Sequence, residues 1–474
     1  MKPLSIQQIR QAVGGKALSP IPETAPLIRS VCSDSRRIEP GSLFVAIPGE
    51  RFDGHDFLPQ AAAGGAVAAL IQHAPQPPQP NLYLIQVRDT KAAMGKLAAF
   101  VRMQMRAKVI GVAGSNGKTS TKYLIDSILG TKLRGSMSPK SFNNDIGVPL
   151  TIFPADPMQD YLVLEMGTNH PGEIKVLTEM ARPDIAVITN CGAEHLEFLG
   201  DLMGVRQENA SIIAGVNPKG MLIVNGDDPE LVSAVSPYPG RKITFGFNTN
   251  NDLFATDVVC DANGTRFRLN GRREVFVPLL GRHTASNSLA AIGVARAMRL
   301  EEQEIIEALA SAHGPDMRLQ LQELVGGVTL LNDAYNANPN SMRAALETLA
   351  GLKPRGRRVA VLGDMRELGK ASERYHREIG EFAAGCGLDV LACVGSQAAL
   401  IADAAEQAGM PTGAICRFPD AGSATRQVPR WLRDGDLVLL KASRAIHLEL
   451  VAQAIIESRP QPLDRPQVLQ RAAS

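Results

Sequence analysis

Val109-Ile-Gly-Val-Ala-Gly-Ser-Asn-Gly-Lys-Thr-Ser-Thr121 decides the fold. The run from Val109 to Ala113 is an apolar, strand-type segment that stops at Gly114. After Lys118-Thr119-Ser120, the residues Leu124, Ile125, Ile128 and Leu129 recur at helical spacing. Strand, glycine turn, Lys-Thr and helix form the layout of a phosphate-binding loop. Glycines let backbone N–H groups close around phosphate oxygens, and the helix N-terminus adds partial positive charge. Lys118 then reaches the outer phosphates, and the Thr119 hydroxyl can ligate Mg²⁺. The spacing departs from the general pattern in one place: Val112 stands where the first glycine belongs. The tighter run Gly114-Ser115-Asn116-Gly117-Lys118-Thr119-Ser120 remains.

Around this loop, 474 residues suggest about three domains. A hydrophobic content of 45% allows sizeable cores. A net charge of +2, with no dense Lys/Arg run, argues against a nucleic-acid partner. Cys32, Cys191, Cys260, Cys386, Cys393 and Cys416 are scattered, without Cys-x-x-Cys spacing. They read as reduced residues of a cytoplasmic protein. No signal peptide or membrane span is visible.

The expected architecture is α/β throughout, in three units. Residues 1–105 form a small mixed unit. In it, Ser42-Leu-Phe-Val-Ala-Ile47 is a buried strand, Phe57 to Gly64 a helix, and 74–80 a Pro-rich loop. Asp34-Ser35-Arg36 alone reads as a turn with a capping Asp. Residues 106–313 form the central unit. There 141–149 reads as irregular backbone, and Tyr161-Leu-Val-Leu-Glu165 is a strand ending in an acid. That is where a Mg²⁺ ligand is expected, although an exposed strand-end Glu would look the same. His195 follows the strand Asp184–Asn190; a lone His there is more often polar surface, though a strand-end loop is also where α/β folds bind ligands. A β-rich run (243–280) and an Ala-rich helix to Met298 complete this unit. Residues 314–474 alternate strands with helices, as in a second parallel sheet, and Ser341 reads as the cap of a helix over 342–352.

Taken together these motifs resemble the Mur ligase superfamily. The elements are Gly114–Ser120, Asn143-Asn144 with Ile146-Gly-Val-Pro149, Glu165-Met-Gly-Thr-Asn-His170, Asn190 with His195-Leu-Glu197, His283 with Asn287, and Asp333. The likeness covers nearly the whole chain. Within the superfamily, Asp333-Ala-Tyr-Asn-Ala-Asn-Pro-Asn-Ser-Met342, Gly363-Asp-Met-Arg-Glu-Leu-Gly369 with His376, and Lys441-Ala-Ser-Arg444 resemble the branch that adds D-alanyl-D-alanine to UDP-N-acetylmuramoyl-tripeptide. The Asp-Asn-Pro-Arg element of diaminopimelate-adding members is absent.

The resemblance implies an UDP-binding first unit, an ATP-binding central unit and a Rossmann-like third unit. It implies an ADP-forming ligase of peptidoglycan synthesis, using ATP and Mg²⁺ and acting as a cytoplasmic monomer. Its catalytic residues would be Lys118, Glu165 and His195, and Mg²⁺ would be held by Thr119, Glu165 and His195. ATP would lie on Gly114, Ser115, Asn116, Gly117, Lys118, Thr119 and Ser120, with Asn287, Arg318 and Asp333. The uridine diphosphate would meet Ser35, Glu50, Arg51 and Phe52, and the muramoyl peptide Asn143, Asn144 and Asn190. Tyr335, Asn336, Asn338 and Ser443 would face D-alanyl-D-alanine. A folylpolyglutamate-synthase-type ligase is disfavoured by Ser35 and Asp53-Gly-His55. A non-catalytic homologue is disfavoured by the intact Lys118, Glu165 and His195.

One position departs from the family. Members commonly carry a lysine, carboxylated by CO₂, about a dozen residues beyond His-Leu-Glu. Here Asn209 stands there, and no lysine occurs between Lys175 and Lys219. An amide forms no carbamate. Its carbonyl could anchor a water near Mg²⁺, or Glu208 could supply the charge instead.

Overall fold

A computed structural model of the chain describes residues 1–49, 51–79 and 81–461. Glu50, Pro80 and the tail from 462 lie outside them. The fold is three α/β units, each on its own mostly parallel sheet. The first sheet has five strands, in the order Lys16–Ala17, Tyr83–Gln86, Ala68–Ile71, Ser42–Val45, Ser30–Cys32. Only Lys16–Ala17 runs antiparallel to its neighbour.

The central sheet has nine strands. Lys108–Ala113 is flanked by Tyr161–Glu165 on one side and Ile185–Ile188 on the other, both parallel. The chain leaves Lys108–Ala113 toward one edge and later returns to its other side. The crevice beyond its carboxyl end is therefore a topological switch point, where open α/β sheets bind ligands. Three strands meet there, ending in Ala113, Glu165 and Ile188. The β-rich run forms the far edge, where Leu253–Asp261, Gly264–Leu269 and Arg273–Val277 pair antiparallel. The third sheet has six strands and is parallel except for its edge, Gln320–Glu323.

The first two units share one apolar core. Helix Thr90–Arg102 joins them, burying Ala93, Met94, Leu97 and Ala98. Leu4, Ile9, Leu70 and Ile85 of the first unit belong to the same cluster as Leu162, Leu177 and Ile188 of the central one. The third unit builds its core from Leu331, Met342, Leu346, Leu362 and Leu391, which Leu280 of the central unit joins, with a second layer around Val359, Val361 and Leu440. The link into it holds Met317 and Leu319 with left-handed backbone, at φ 55° and 48°. Such conformations cost non-glycine residues energy and persist where the surroundings fix them.

Two local expectations are corrected. Residues 147–152 of the segment read as irregular form a short helix, Gly147–Ile152. The helix after Asp333 is Pro339–Gly351, capped by Asn338 and not Ser341. Asn338 Oδ1 accepts from the Ser341 amide at 2.8 Å, and the Ser341 hydroxyl accepts from the Asn338 amide at 3.0 Å. Pro339 at the first helical position suits that start. All six cysteines are free.

Candidate active site

The phosphate loop forms at the switch point. Gly114 has φ 127° and Gly117 has φ 82°, values that favour glycine. A Cβ at Gly114 would lie 2.1 Å from Thr189 Oγ1, and one at Gly117 would lie 2.4 Å from Asn287 Oδ1. Helix Lys118–Leu129 begins directly after Gly117, with no side chain capping its amides. Ser115 Oγ accepts from the Gly192 amide at 2.9 Å. Asn190 brackets Asn116, taking its N–H at 3.1 Å and donating to its carbonyl at 2.9 Å. Lys118 Nζ donates to the carbonyls of Gly114 and Ser115. Thr119 is buried in the first helical turn.

Glu165 is buried and not an exposed strand end. Its Oε2 lies 3.1 Å from Lys122 Nζ, and its Oε1 accepts from Asn143 Nδ2 at 3.1 Å. Sequence reasoning missed Lys122. It stands one helical turn after Lys118, so both ammonium groups leave the same face of one helix. Burial pushes the Lys122 pKa down, and Glu165 opposes that shift.

His195 has a left-handed backbone at φ 49°. Its Nδ1 meets the Glu367 carboxylate of the third unit. The hydrogen bond to His195 holds the Glu367 pKa below the usual carboxylate range. The Glu197 amide donates to the Glu367 carbonyl at 3.1 Å. The neighbouring Glu194 is buried, with Oε2 3.9 Å from Lys118 Nζ and 4.0 Å from His195 Nε2. Neither Glu367 nor Glu194 was foreseen as a site residue, although Glu194 adjoins His195 in the chain.

Between the central and third units lies a cavity of about 260 Å³ that opens onto Asn116, Gly117 and Ser120. Asn287, Arg318, Asp333 and Lys441 line it. Asp333 is paired with Lys441 at 2.5 Å, and both are buried. Burial presses Lys441 toward its neutral form while Asp333 resists. Arg318 stacks on the Tyr335 ring at 4.3 Å. His283 is half-buried in the same wall, and desolvation lowers its pKa.

The other candidates fall into two groups. Asn338 Nδ2 donates to Asn116 Oδ1 at 2.9 Å, which ties the third unit to the phosphate loop. The Asn336 carbonyl accepts from Lys441, and the Ser443 hydroxyl accepts from the Arg366 amide at 2.8 Å. Asn144 Oδ1 accepts from the Gly147 amide at 2.8 Å, closing the turn into that helix. In the first unit, Ser35 donates to Gln60 at 2.9 Å. Arg51 is exposed, and Phe52 is 71% exposed, edge-on to Phe57. Nearby, His55 has both ring nitrogens engaged, by Asp53 at 2.6 Å and by the Gln72 amide at 2.9 Å. It therefore has no lone pair to offer a metal, despite the adjacent His73.

Asn209 is buried on helix Leu202–Ala210. Its Nδ2 donates to the Val205 carbonyl at 2.9 Å, and its Oδ1 has no partner. Glu208 is turned elsewhere. Its carboxylate accepts from Thr168 Oγ1, from the Gly172 amide at 2.6 Å and from the Ile174 amide at 2.8 Å.

A phosphate loop at a switch point, roofed by a third α/β unit, defines a class that the comparisons identify. Three family profiles match: "Mur ligase family, catalytic domain" over residues 27–107, "Mur ligase middle domain" over 112–295, and "Mur ligase, glutamate ligase domain" over 317–444. The chain belongs to the Mur ligase family. It is 36% identical to the UDP-N-acetylmuramoyl-tripeptide–D-alanyl-D-alanine ligase of Bacillus subtilis, over 96% of this chain and 98% of that one. It is 37% identical to the ligase of that name from Escherichia coli, over 90% and 94%. A crystal structure of MurF from Acinetobacter baumannii matches with a TM-score of 0.86 at 30% identity, covering 96% of this chain and 99% of that one. MurF from Thermotoga maritima in complex with ADP matches with a TM-score of 0.80 at 28% identity, covering 91% and 97%.

Proposed function

We propose that this chain joins D-alanyl-D-alanine to UDP-N-acetylmuramoyl-tripeptide with conversion of ATP to ADP and phosphate, as a single chain in the cytoplasm. The observation that supports it best is the seating of the Asp333–Met342 segment, which carries the branch's motif, against the phosphate loop through Asn338 and Asn116. Among the described residues no helix is long and apolar enough to cross a membrane.

The terminal carboxylate of the tripeptide is a poor acyl donor. Its oxygen attacks the γ-phosphorus, the bond to ADP breaks, and an acyl phosphate forms. The dipeptide amine then adds to the carbonyl carbon, and phosphate leaves with the carbon–oxygen bond. The protein's part is positioning and charge neutralisation. Amides of Gly114–Ser120 and the open helix N-terminus hold the phosphates. Lys118 moves off the two loop carbonyls onto the outer phosphates. Asn287, Arg318 and Asp333 hold the nucleoside, while Asn143, Asn144 and Asn190 position the acceptor peptide. Ser35, Arg51 and Phe52 take the uridine diphosphate. Tyr335, Asn336, Asn338 and Ser443 bring in the dipeptide. Docking of the third unit excludes water from the acyl phosphate.

The donor set suits Mg²⁺: hard oxygens of Thr119 and Glu165, with His195 Nε2 left facing the loop because Nδ1 is engaged by Glu367. Bound there, Mg²⁺ would neutralise phosphate charge. The deciding assay offers UDP-N-acetylmuramoyl-tripeptides ending in diaminopimelate or lysine together with D-alanyl-D-alanine, D-alanine or glutamate. Ligation of the dipeptide alone is expected. Product from free amino acids but not from the dipeptide would overturn the assignment.

A further inference from the structure

Glu194 is 8% exposed, and its Oε1 has no hydrogen-bond partner. Buried carboxylate oxygens without partners are rare, because removing charge from water is costly unless a countercharge meets it. The nearest cation is Lys118, at 3.9 Å from Oε2, beyond hydrogen-bond length. Lys118 already donates to two loop carbonyls, and on the reading above it leaves them for the phosphates. Among the described residues no other lysine or arginine lies within ion-pair distance of Glu194.

The other neighbour is His195. Glu367 takes its Nδ1, which leaves the Nε2 lone pair on the side where Glu194 stands. Oε2 and Nε2 are 4.0 Å apart. That is too far for a hydrogen bond; it lies between the roughly 3.0 Å of adjacent and the roughly 4.2 Å of opposite ligands around an octahedral cation, so a small side-chain rotation brings both onto one ion. Sites for Mg²⁺ ordinarily combine one or two protein carboxylates with phosphate oxygens and water. Glu165 reaches the same cation only by releasing Lys122 or Asn143, which engage both its oxygens, so a second carboxylate is wanted.

We propose that Glu194 is itself a divalent-cation ligand, acting beside His195 Nε2, with phosphate oxygens and water completing the shell. It carries the negative charge that Asn209 cannot. The inference rests on the reading above that His195 faces the cation at the nucleotide's phosphates.

The test uses Mn²⁺ titrated into the full-length protein holding ADP, followed by electron paramagnetic resonance. The variants are Glu194→Gln and Glu194→Asp. Binding of ADP without metal, in excess chelator, is measured by calorimetry alongside. Glu194→Gln is expected to weaken Mn²⁺ binding by about tenfold or more, as loss of groups at metal sites does. Metal-free ADP affinity should stay at the wild-type value. Glu194→Asp should fall between wild type and Gln. Wild-type Mn²⁺ affinity in Glu194→Gln overturns the proposal. So does an equal loss of metal-free ADP affinity, which would mean that Glu194 acts only through Lys118. If Gln prevents folding, the Asp variant decides: its shortened carboxylate must weaken Mn²⁺ binding, and unchanged affinity overturns the proposal. A wild-type protein with ADP that binds no Mn²⁺ would instead sink the underlying reading of His195.

Discussion

Lys118 rests on carbonyl oxygens that are poor substitutes for a triphosphate. Its ammonium belongs to the chemistry and not to the core, so Lys118→Ala should leave the folded state intact. Ligation should fall by about a hundredfold or more, the usual cost of removing one charge-stabilising group. Thermal unfolding and turnover, measured on one preparation, check both halves, and near wild-type turnover would remove Lys118 from its role. Asn209 bears on a second experiment. Its amide is folded back onto Val205, and no nearby position in the chain supplies a lysine. Stripping CO₂ from the assay and restoring bicarbonate should leave the rate unchanged. A rate that falls and recovers would reveal a carboxylated lysine elsewhere. The loop that carries Lys118 follows from local spacing, whereas Asn209 stands out only against the family resemblance. Lys122 was not legible, because its partner Glu165 is 43 residues away and only the sheet brings the two together.

Helix Glu173–Ala181 starts at Gly172, which has φ 89° and no capping side chain of its own. The cap comes from another helix: the Glu208 carboxylate takes the amides of Gly172 and Ile174. This excludes Glu208 as the substitute charge near the nucleotide. It also predicts that Glu208→Ala, leaving the buried Ile174 amide unpaired, destabilises the protein by about 1–3 kcal/mol. Chemical denaturation should show this as a lowered midpoint, and an unchanged midpoint would refute it. At this scale the sequence was readable where periodicity and glycines coincide, as in the strand and helix around the phosphate loop. It misled at Ser341, because Asn338 and Ser341 are both good capping residues and each accepts from the other's amide. The pattern could not say which of them begins the helix.

Across the whole molecule the three units are not joined alike. The first and central units share a continuous apolar core through helix Thr90–Arg102. The third meets the phosphate-loop side through polar contacts: Asn338 to Asn116, Asn340 to Ala193, and Glu367 to His195 and Glu197. The three-unit layout was legible from strand and helix alternation. The contacts between units were not, since Glu367 and His195 are 172 residues apart and nothing local marks them as partners. Two of these contacts have a use. The amide protons of Ala193 and Glu197 belong to the central unit, yet their acceptors, Asn340 Oδ1 and the Glu367 carbonyl, belong to the third. Each proton can exchange with deuterium when the third unit lifts away, without any unfolding. In hydrogen-exchange measurements the two should slow together when an ATP analogue is added, and by the same factor, because one opening exposes both. Independent rates would mean that the two loops part separately. If they move as one, these two protons are a built-in clock for how often the ligase opens.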